Sequence, residues 1–259
     1  MTDFDLAEYE KIQPTATIDG VQFFVPNQLC LHRVNTLFSK EADTMEWISG
    51  FSDRDLLIDI GANVGMYSIW AAAKQGARVL AFEPESQNFA VLNRNIFING
   101  LQDKISAYCV AIGGPTEAGT DYTVDVLNLS SFQIGTSCHS FSEEVDYKLD
   151  PATPSFKQGC IAVPLDGFLQ SSGGIDRFDD IHIKIDVDGL EHLVVRGAEQ
   201  ILRSPQVRSV LIEINTNLIP HNEIVKLMES RGFATTIHPD AIRSSGKFEG
   251  LGNHIFVRR

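Results

Sequence analysis

Cysteine is scarce in this 259-residue chain, and basic side chains are in deficit. The four cysteines, Cys30, Cys109, Cys138 and Cys160, form no C-x-x-C pair, and the seven histidines are scattered. Neither a redox dithiol nor a zinc-site spacing is present, so buried or incidental thiols in a reducing compartment are the simpler reading. Against 34 acidic residues stand only 21 Lys+Arg, a formal charge of −13. A surface that neutralises phosphates carries clustered Lys and Arg, and the longest basic cluster here is the terminal pair Arg258 and Arg259. Nucleic acid and anionic membrane are therefore not the expected partners. Long apolar runs are missing too. The most apolar helix-length stretch, Leu56 to Ala73, is interrupted by Asp59 and Asn63, so no membrane span is expected. The chain opens Met1-Thr2-Asp3-Phe4-Asp5, acidic where a secretory leader is basic, and a cytoplasmic location follows as the expectation.

What is present is the texture of an ordinary globular α/β protein, 43% hydrophobic and 21% charged, at a length suited to one domain. Apolar, Val- and Ile-rich runs mark strands at Asp55–Ile60, Arg78–Phe82, Ile105–Ile112, Ile181–Val187, Val207–Ile214, Phe233–Ile237 and His254–Val257. Amphipathic stripes lie between them, among them Met66, Ile69, Trp70 and Ala73, then Phe89, Leu92 and Ile96, and later Ile224, Leu227 and Met228. Such alternation predicts a doubly wound, mostly parallel sheet covered on both faces. The last two strands lack a helix-length connection, so the final strand is expected to insert antiparallel. Residues 1–52 read as a lead-in to the same domain, with a hairpin turn at Ile18-Asp19-Gly20-Val21 and a helix over Lys40–Phe51. Residues 53–259 form the main body. Within it the stretch 135–158 is polar and weakly periodic, and is expected to be a long loop or lid.

The strongest constellation runs from Leu56 to Ser68, where the strand Leu56-Leu57-Ile58-Asp59-Ile60 meets Gly61-Ala62-Asn63-Val64-Gly65 and then a helix. Gly61 and Gly65 permit a tight turn and close approach of backbone to a ligand. The next strand ends in Phe82-Glu83-Pro84, placing a carboxylate beside the same crevice, where two ribose hydroxyls would find an acceptor. A nicotinamide or flavin site would want G-x-G-x-x-G, but Asn63 and Met66 replace its second and third glycines. Asp59 at the strand end also favours a ligand with a cationic group over a diphosphate. S-adenosylmethionine has an ammonium, a sulfonium and no phosphate, and suits the turn better. A nicotinamide-dependent oxidoreductase stands as the weaker alternative.

These residues, with the later Lys184-Ile185-Asp186-Val187-Asp188-Gly189-Leu190-Glu191 and Gly197-Ala198, resemble the FkbM family of class I methyltransferases. The resemblance runs from about Glu41 to Arg231 and includes the pair Leu165-Asp166. It implies a Rossmann-like seven-stranded methyltransferase sheet, S-adenosylmethionine as donor, and O-methylation of a hydroxyl on a sugar, glycan or polyketide-type molecule. It also implies cofactor contacts from Glu41 in the lead-in, from Pro84 next to Glu83, from Ala111 beside the adenine, and from Ser130 and Asp186. One departure is visible: the family commonly has Glu where this chain has Asp188.

Methyl transfer to oxygen is an in-line displacement, so the site must align the acceptor and remove its hydroxyl proton. In an extended strand Lys184, Asp186 and Asp188 share a face, and charges there are costly unless paired or functional. Asp186 and His192 are the first candidates for general base and Asp188 the next, with a structural Lys184–Asp186 ion pair as the alternative for Asp186. Asp186, Glu213 and Asn215 could instead hold Mg²⁺ through oxygen ligands, a possibility the sequence leaves open. Residues 135–158 and the segment with Pro239, Arg243 and Lys247 are expected to wall the acceptor pocket. The acceptor's identity and the oligomeric state, a homodimer included, stay open.

Overall fold

The hairpin signal is met by two short antiparallel strands, β1 (Thr15–Ile18) and β2 (Val21–Phe24). Asp19 and Gly20 at its tip both take positive φ, 47° and 79°, as a type I′ turn requires. Helix α1 (Gln28–Asn35), which the sequence pattern did not announce, starts at Asn27, whose side chain accepts the Cys30 N–H. Helix α2 (Ala42–Ser49) lies inside the expected span. There follow β3 (Leu56–Ile60), α3 (Met66–Trp70, widening into a π-helical turn over Ala71–Gln75), β4 (Arg78–Phe82), α4 (Ser86–Ile98), β5 (Ile105–Tyr108), β6 (Ala111–Gly113), β7 (Thr123–Leu129), β8 (Ser140–Phe141) and β9 (Phe156–Pro164). The chain continues through α5 (Leu165–Ser171), β10 (Ile181–Ile185), α6 (Glu191–Gly197), β11 (Val207–Asn215), α7 (Ile219–Ser230), β12 (Phe233–Thr236) and β13 (Leu251–Arg258). The structure, a computed structural model, describes residues 14–116, 120–172, 175, 177–236 and 248–259. Pro239, Arg243 and Lys247, and the Ile237 end of the expected strand, lie outside them. No helix among the described residues is long and apolar enough to cross a membrane.

Seven strands form the main sheet in the order β12-β13-β11-β10-β3-β4-β5. All neighbours run parallel except β13, which is antiparallel to both β11 and β12. Alternation along β3 shows how the sheet is buried on both sides. Leu57 packs into one core with α1 to α4, and Leu56, Ile58 and Ile60 pack into the other with α5 to α7. The lead-in is fastened to the sheet by polar contacts as well: Trp47 Nε1 donates to Ser209 Oγ at 2.7 Å, that hydroxyl lies 2.7 Å from His182 Nδ1, and Phe51 stacks on the His182 ring.

Two expected strand extents are corrected. Ile105–Ile112 is not one strand. The chain leaves the edge of the main sheet at Cys109 and Val110, and β6 joins a second sheet of order β6-β9-β7-β8 that the sequence did not reveal. The signal failed because β7 and β9 carry apolar residues on both faces. Val124 and Ile161, cross-strand partners, are 68% and 49% exposed, while Leu127 and Ala162 on the other face are buried. The polar stretch 135–158 contains β8, a bridge between Val145 and Pro151, and the start of β9. Finally β10 stops at Ile185, so Asp186 and Asp188 sit in the following turn rather than on one face of a strand.

Candidate active site

The strand-to-helix corner after β3 is built on left-handed backbone: Gly61, Asn63 and Gly65 have φ of 81°, 50° and 86°. A Cβ at Gly61 would sit 1.9 Å from the Asp186 carbonyl oxygen, and one at Gly65 would meet the Leu92 side chain at 2.4 Å. Gly61 therefore lets the turn close on the Asp186 turn, and Gly65 lets α3 begin against α4. The N–H groups of Gly61 and Ala62 both donate to the Phe82 carbonyl at 3.0 Å. Just beyond, the Glu83 carboxylate accepts from Asn63 N at 2.7 Å and from Glu85 N at 2.8 Å. Burial pushes the Glu83 carboxyl up to about 8, against the pull of those two donors.

The second cluster follows β10. Lys184 is almost wholly buried and donates to Asp186 Oδ2 at 2.7 Å. Burial disfavours its ammonium, but the carboxylates of Asp186, Asp59 and Glu41 outweigh that and raise its pKa. Burial likewise opposes ionisation of Asp186, yet the Lys184 ammonium holds that carboxyl below its usual range. Asp188, in left-handed backbone at φ 57°, accepts the Cys138 N–H at 2.7 Å, and burial and the Asp186 charge push it up to about 6. Glu213 at the end of β11 is pushed well above its ordinary value by burial and by Asp186, Asp188 and Glu191. Glu191 is fully buried and holds the turn itself, accepting from Val187 N at 2.9 Å and Gly189 N at 3.0 Å. His221 Nδ1 accepts the Asn215 N–H at 3.0 Å, which assigns the proton to Nε2, facing the Gly189 carbonyl at 3.0 Å and Glu191 at 3.2 Å.

Both clusters open into one cavity of about 750 Å³ at the carboxyl ends of β3, β4, β10 and β11. The second sheet supplies the opposite wall through Ala111, Thr123, Leu127, Phe141 and Ala162. Residues 59–234, more than half of the chain, match the model of the methyltransferase FkbM domain. The chain belongs to the FkbM family of methyltransferases. Among curated relatives of this FkbM-family protein, methyltransferase sdnD of Sordaria araneosa is 27% identical over 73% of this chain and 77% of its own. The 31-O-demethyl-FK506 methyltransferase FkbM of Streptomyces tacrolimicus is 25% identical over 73% and 76%. A solved structure titled METTL16 MTase domain aligns over 92% of this chain and 73% of its own at 15% identity, with a TM-score of 0.48.

S-adenosylmethionine is the cofactor of this methyltransferase. The donor set suits it: the cavity wall carries Glu41, Glu83, Asp186, Asp188 and Glu213, acceptors for an ammonium, a sulfonium and ribose hydroxyls. Of the residues expected to bind it, Glu41, Gly61, Asn63, Glu83, Pro84, Ala111 and Asp186 line the cavity. Asp59, Gly65 and Ser130 do not. Asp59 points from β3 toward α3, where it is buried and accepts from Ser68 Oγ at 2.6 Å, its other oxygen lacking a protein partner. Ser130 Oγ is spent on the Ser137 carbonyl at 2.7 Å. The candidate bases Asp186, Asp188 and His192 all reach the cavity. The oxygen-ligand set changes membership. Carboxylate oxygens of Asp186, Asp188 and Glu213 lie within 4.8 Å of one another, whereas Asn215 turns away and accepts the Asn217 N–H. The sequence reading missed Tyr67, whose hydroxyl donates to Glu41 at 2.7 Å, and Arg33 and His139, which also line the cavity. Tyr67 directly follows the glycine motif and was legible in principle. Arg33 and His139 lie in a helix and a strap with no pattern to announce them.

Proposed function

We propose that this FkbM-family enzyme methylates a hydroxyl oxygen of a small polyhydroxylated acceptor, a sugar or glycan among them. The bound cofactor supplies an electrophilic methyl group on a positively charged sulfur. This chain's own residues supply alignment and proton removal. Glu83 accepts the ribose hydroxyls while it ties the glycine turn in place. Asp186 is held by Lys184 and serves as part of the wall. The hydroxyl proton goes to Asp188 or His192, and the observation that carries the reading is that both line the cavity and that, among the described residues, neither is ion-paired with a Lys or Arg side chain. Burial lowers the His192 pKa, with Arg196 adding to it, so its imidazole is neutral and able to accept a proton near pH 7.

An acceptor with an apolar flank, of polyketide type, is favoured by a separate observation: Phe141, Leu149, Leu190, Leu193, Phe248 and Leu251 contribute to the same cavity. The name of the Streptomyces relative, a methyltransferase of an O-demethyl substrate, supports oxygen as the target. The test has two arms. Calorimetric titration with S-adenosylmethionine and S-adenosylhomocysteine should give heat, and its absence with folded protein ends the cofactor assignment. Product formation is then followed over a panel of sugar, polyol and macrolide alcohols, beside amine and thiol analogues. Turnover confined to the amines or thiols would refute O-methylation.

A further inference from the structure

Residues 130–139 connect β7 to β8, and the backbone of residues 134–138 is held mostly by side chains from elsewhere, the Thr136 N–H to Gln133 carbonyl and Ser130 hydroxyl to Ser137 carbonyl bonds being local. Asn27 Nδ2 donates to the Ile134 carbonyl at 2.9 Å. The Arg33 guanidinium donates twice to the Gly135 carbonyl, at 2.9 and 2.6 Å. Asn88, fully buried on α4, accepts the Gly135 N–H at 2.6 Å and donates to the Thr136 carbonyl at 3.1 Å. Asn63 of the glycine turn donates to the same carbonyl at 2.7 Å. Two residues later the Cys138 N–H donates to Asp188. Within three residues this strap therefore bridges the glycine turn and the acidic turn, the two motifs that flank the cavity, and Ser137, Cys138 and His139 form part of its wall.

The closed strap also carries local costs. Cys138 and Ser142 sit at φ 62° and 70°, a left-handed conformation unfavourable for side chains other than glycine. His139 Nδ1 accepts the Ser130 N–H at 3.2 Å, which leaves a buried Nε2–H with no partner among the described residues. Bonds contributed by several separate elements thus hold a segment whose own backbone and imidazole disfavour the arrangement, the condition for two alternative states.

We propose that Asn88 and Arg33 are positioning residues that latch this strap over the cavity, and that releasing the latch is the step through which the cofactor enters and leaves. The proposal rests on the reading of the cavity as the S-adenosylmethionine site. Asn88 does not line the cavity, so its effect on a ligand must pass through the strap.

The probe is S-adenosylhomocysteine, followed by stopped-flow binding and by hydrogen exchange on the full-length protein. In the wild type, amides of residues 131–140 should gain more protection on binding than those of β11. In Asn88→Ala, and again in Arg33→Ala, association and dissociation should both accelerate, dissociation by about tenfold or more as two hydrogen bonds to the strap are lost. The ligand-induced protection of 131–140 should shrink while that of β11 persists. Unchanged rates overturn the proposal. So does faster dissociation with unchanged association, which would make Arg33 a direct ligand contact and Asn88 a packing residue. Should Asn88→Ala not fold, the Arg33 variant and the wild-type exchange pattern still decide, and strap amides indifferent to the ligand refute the latch. A wild type that binds no S-adenosylhomocysteine brings down the cofactor reading itself, an outcome distinct from normal binding with unaltered variant rates.

Discussion

Glu83→Gln is the most informative perturbation of the cofactor site. In the free protein the Glu83 carboxyl titrates at about 8 because burial opposes its charge. If the ribose hydroxyls require the ionised form, about one molecule in ten is competent at pH 7 and about nine in ten at pH 9. Wild-type affinity for S-adenosylhomocysteine should then tighten about tenfold between those pH values. The amide cannot ionise, so the variant should show no such rise. It also loses charge-assisted bonds worth about 1.5 to 3 kcal/mol, or roughly 10- to 150-fold in affinity at pH 9. Stability responds with its own sign. A carboxyl raised from 4.5 to about 8 favours the fold below pH 4.5, and that advantage is lost as pH rises through 8. The variant should therefore lose less stability than the wild type between pH 6 and 9. Isothermal titration at pH 7, 8 and 9, with thermal melts in parallel, checks both claims. Wild-type affinity that is flat with pH, or variant binding within about threefold of wild type at pH 9, would refute the assignment.

Three further outcomes are expected. Gly61→Ala places a methyl group 1.9 Å from the Asp186 carbonyl in left-handed backbone, so circular dichroism melts should show a loss of several degrees and calorimetry no cofactor binding; near-wild-type behaviour would contradict the turn geometry. His254 is buried with neither ring nitrogen bonded among the described residues, so His254→Leu should stabilise the protein by about 1 kcal/mol, a rise of roughly 2–4 °C in melting temperature. A fall in melting temperature would show that its packing outweighs its unsatisfied polarity. Burial pushes His182 down to about 4 despite Asp55, so stability should decline as pH falls from 6.5 toward 4, and His182→Gln should flatten that acid limb in urea titrations.

The main sheet was legible because its strands obey a simple rule. Burial on both faces makes β3, β4, β10 and β11 largely apolar runs, and the glycines and Glu83 at their ends stand out against that background. The same rule explains what was not legible. Asp59 lies inside a strand facing α3, and no one-dimensional pattern distinguishes a carboxylate capped by Ser68 from one facing a ligand. Asp188 stands in the acidic cluster where Asn215 was expected because Asn215, the last residue of β11, accepts the Asn217 N–H of the turn that follows, a local bond that strand alternation does not show. The second sheet went unseen because Val124 and Ile161 put apolar side chains on its outer face, erasing the period-two contrast. The strap is invisible for a different reason: its order comes from Asn27, Arg33, Asn63 and Asn88, which are distant in sequence.

The second sheet has a bearing on how such an enzyme could be re-tailored. Gly113 and Pro164, where the chain enters and leaves β7, β8, the strap and most of β9, are register partners in parallel strands, so the insertion's two ends are separated by about one inter-strand spacing of 4.8 Å. A segment whose ends nearly touch can be exchanged as a cassette without stretching the frame that carries the glycine turn, Glu83 and the acidic turn. The cassette brings that wall of the cavity with it, Ala111 excepted. A swap between homologous chains cut at these two positions would exchange Thr123, Leu127, Phe141 and Ala162 of the cavity wall together with the strap, while Glu83 and the acidic turn stay on the frame.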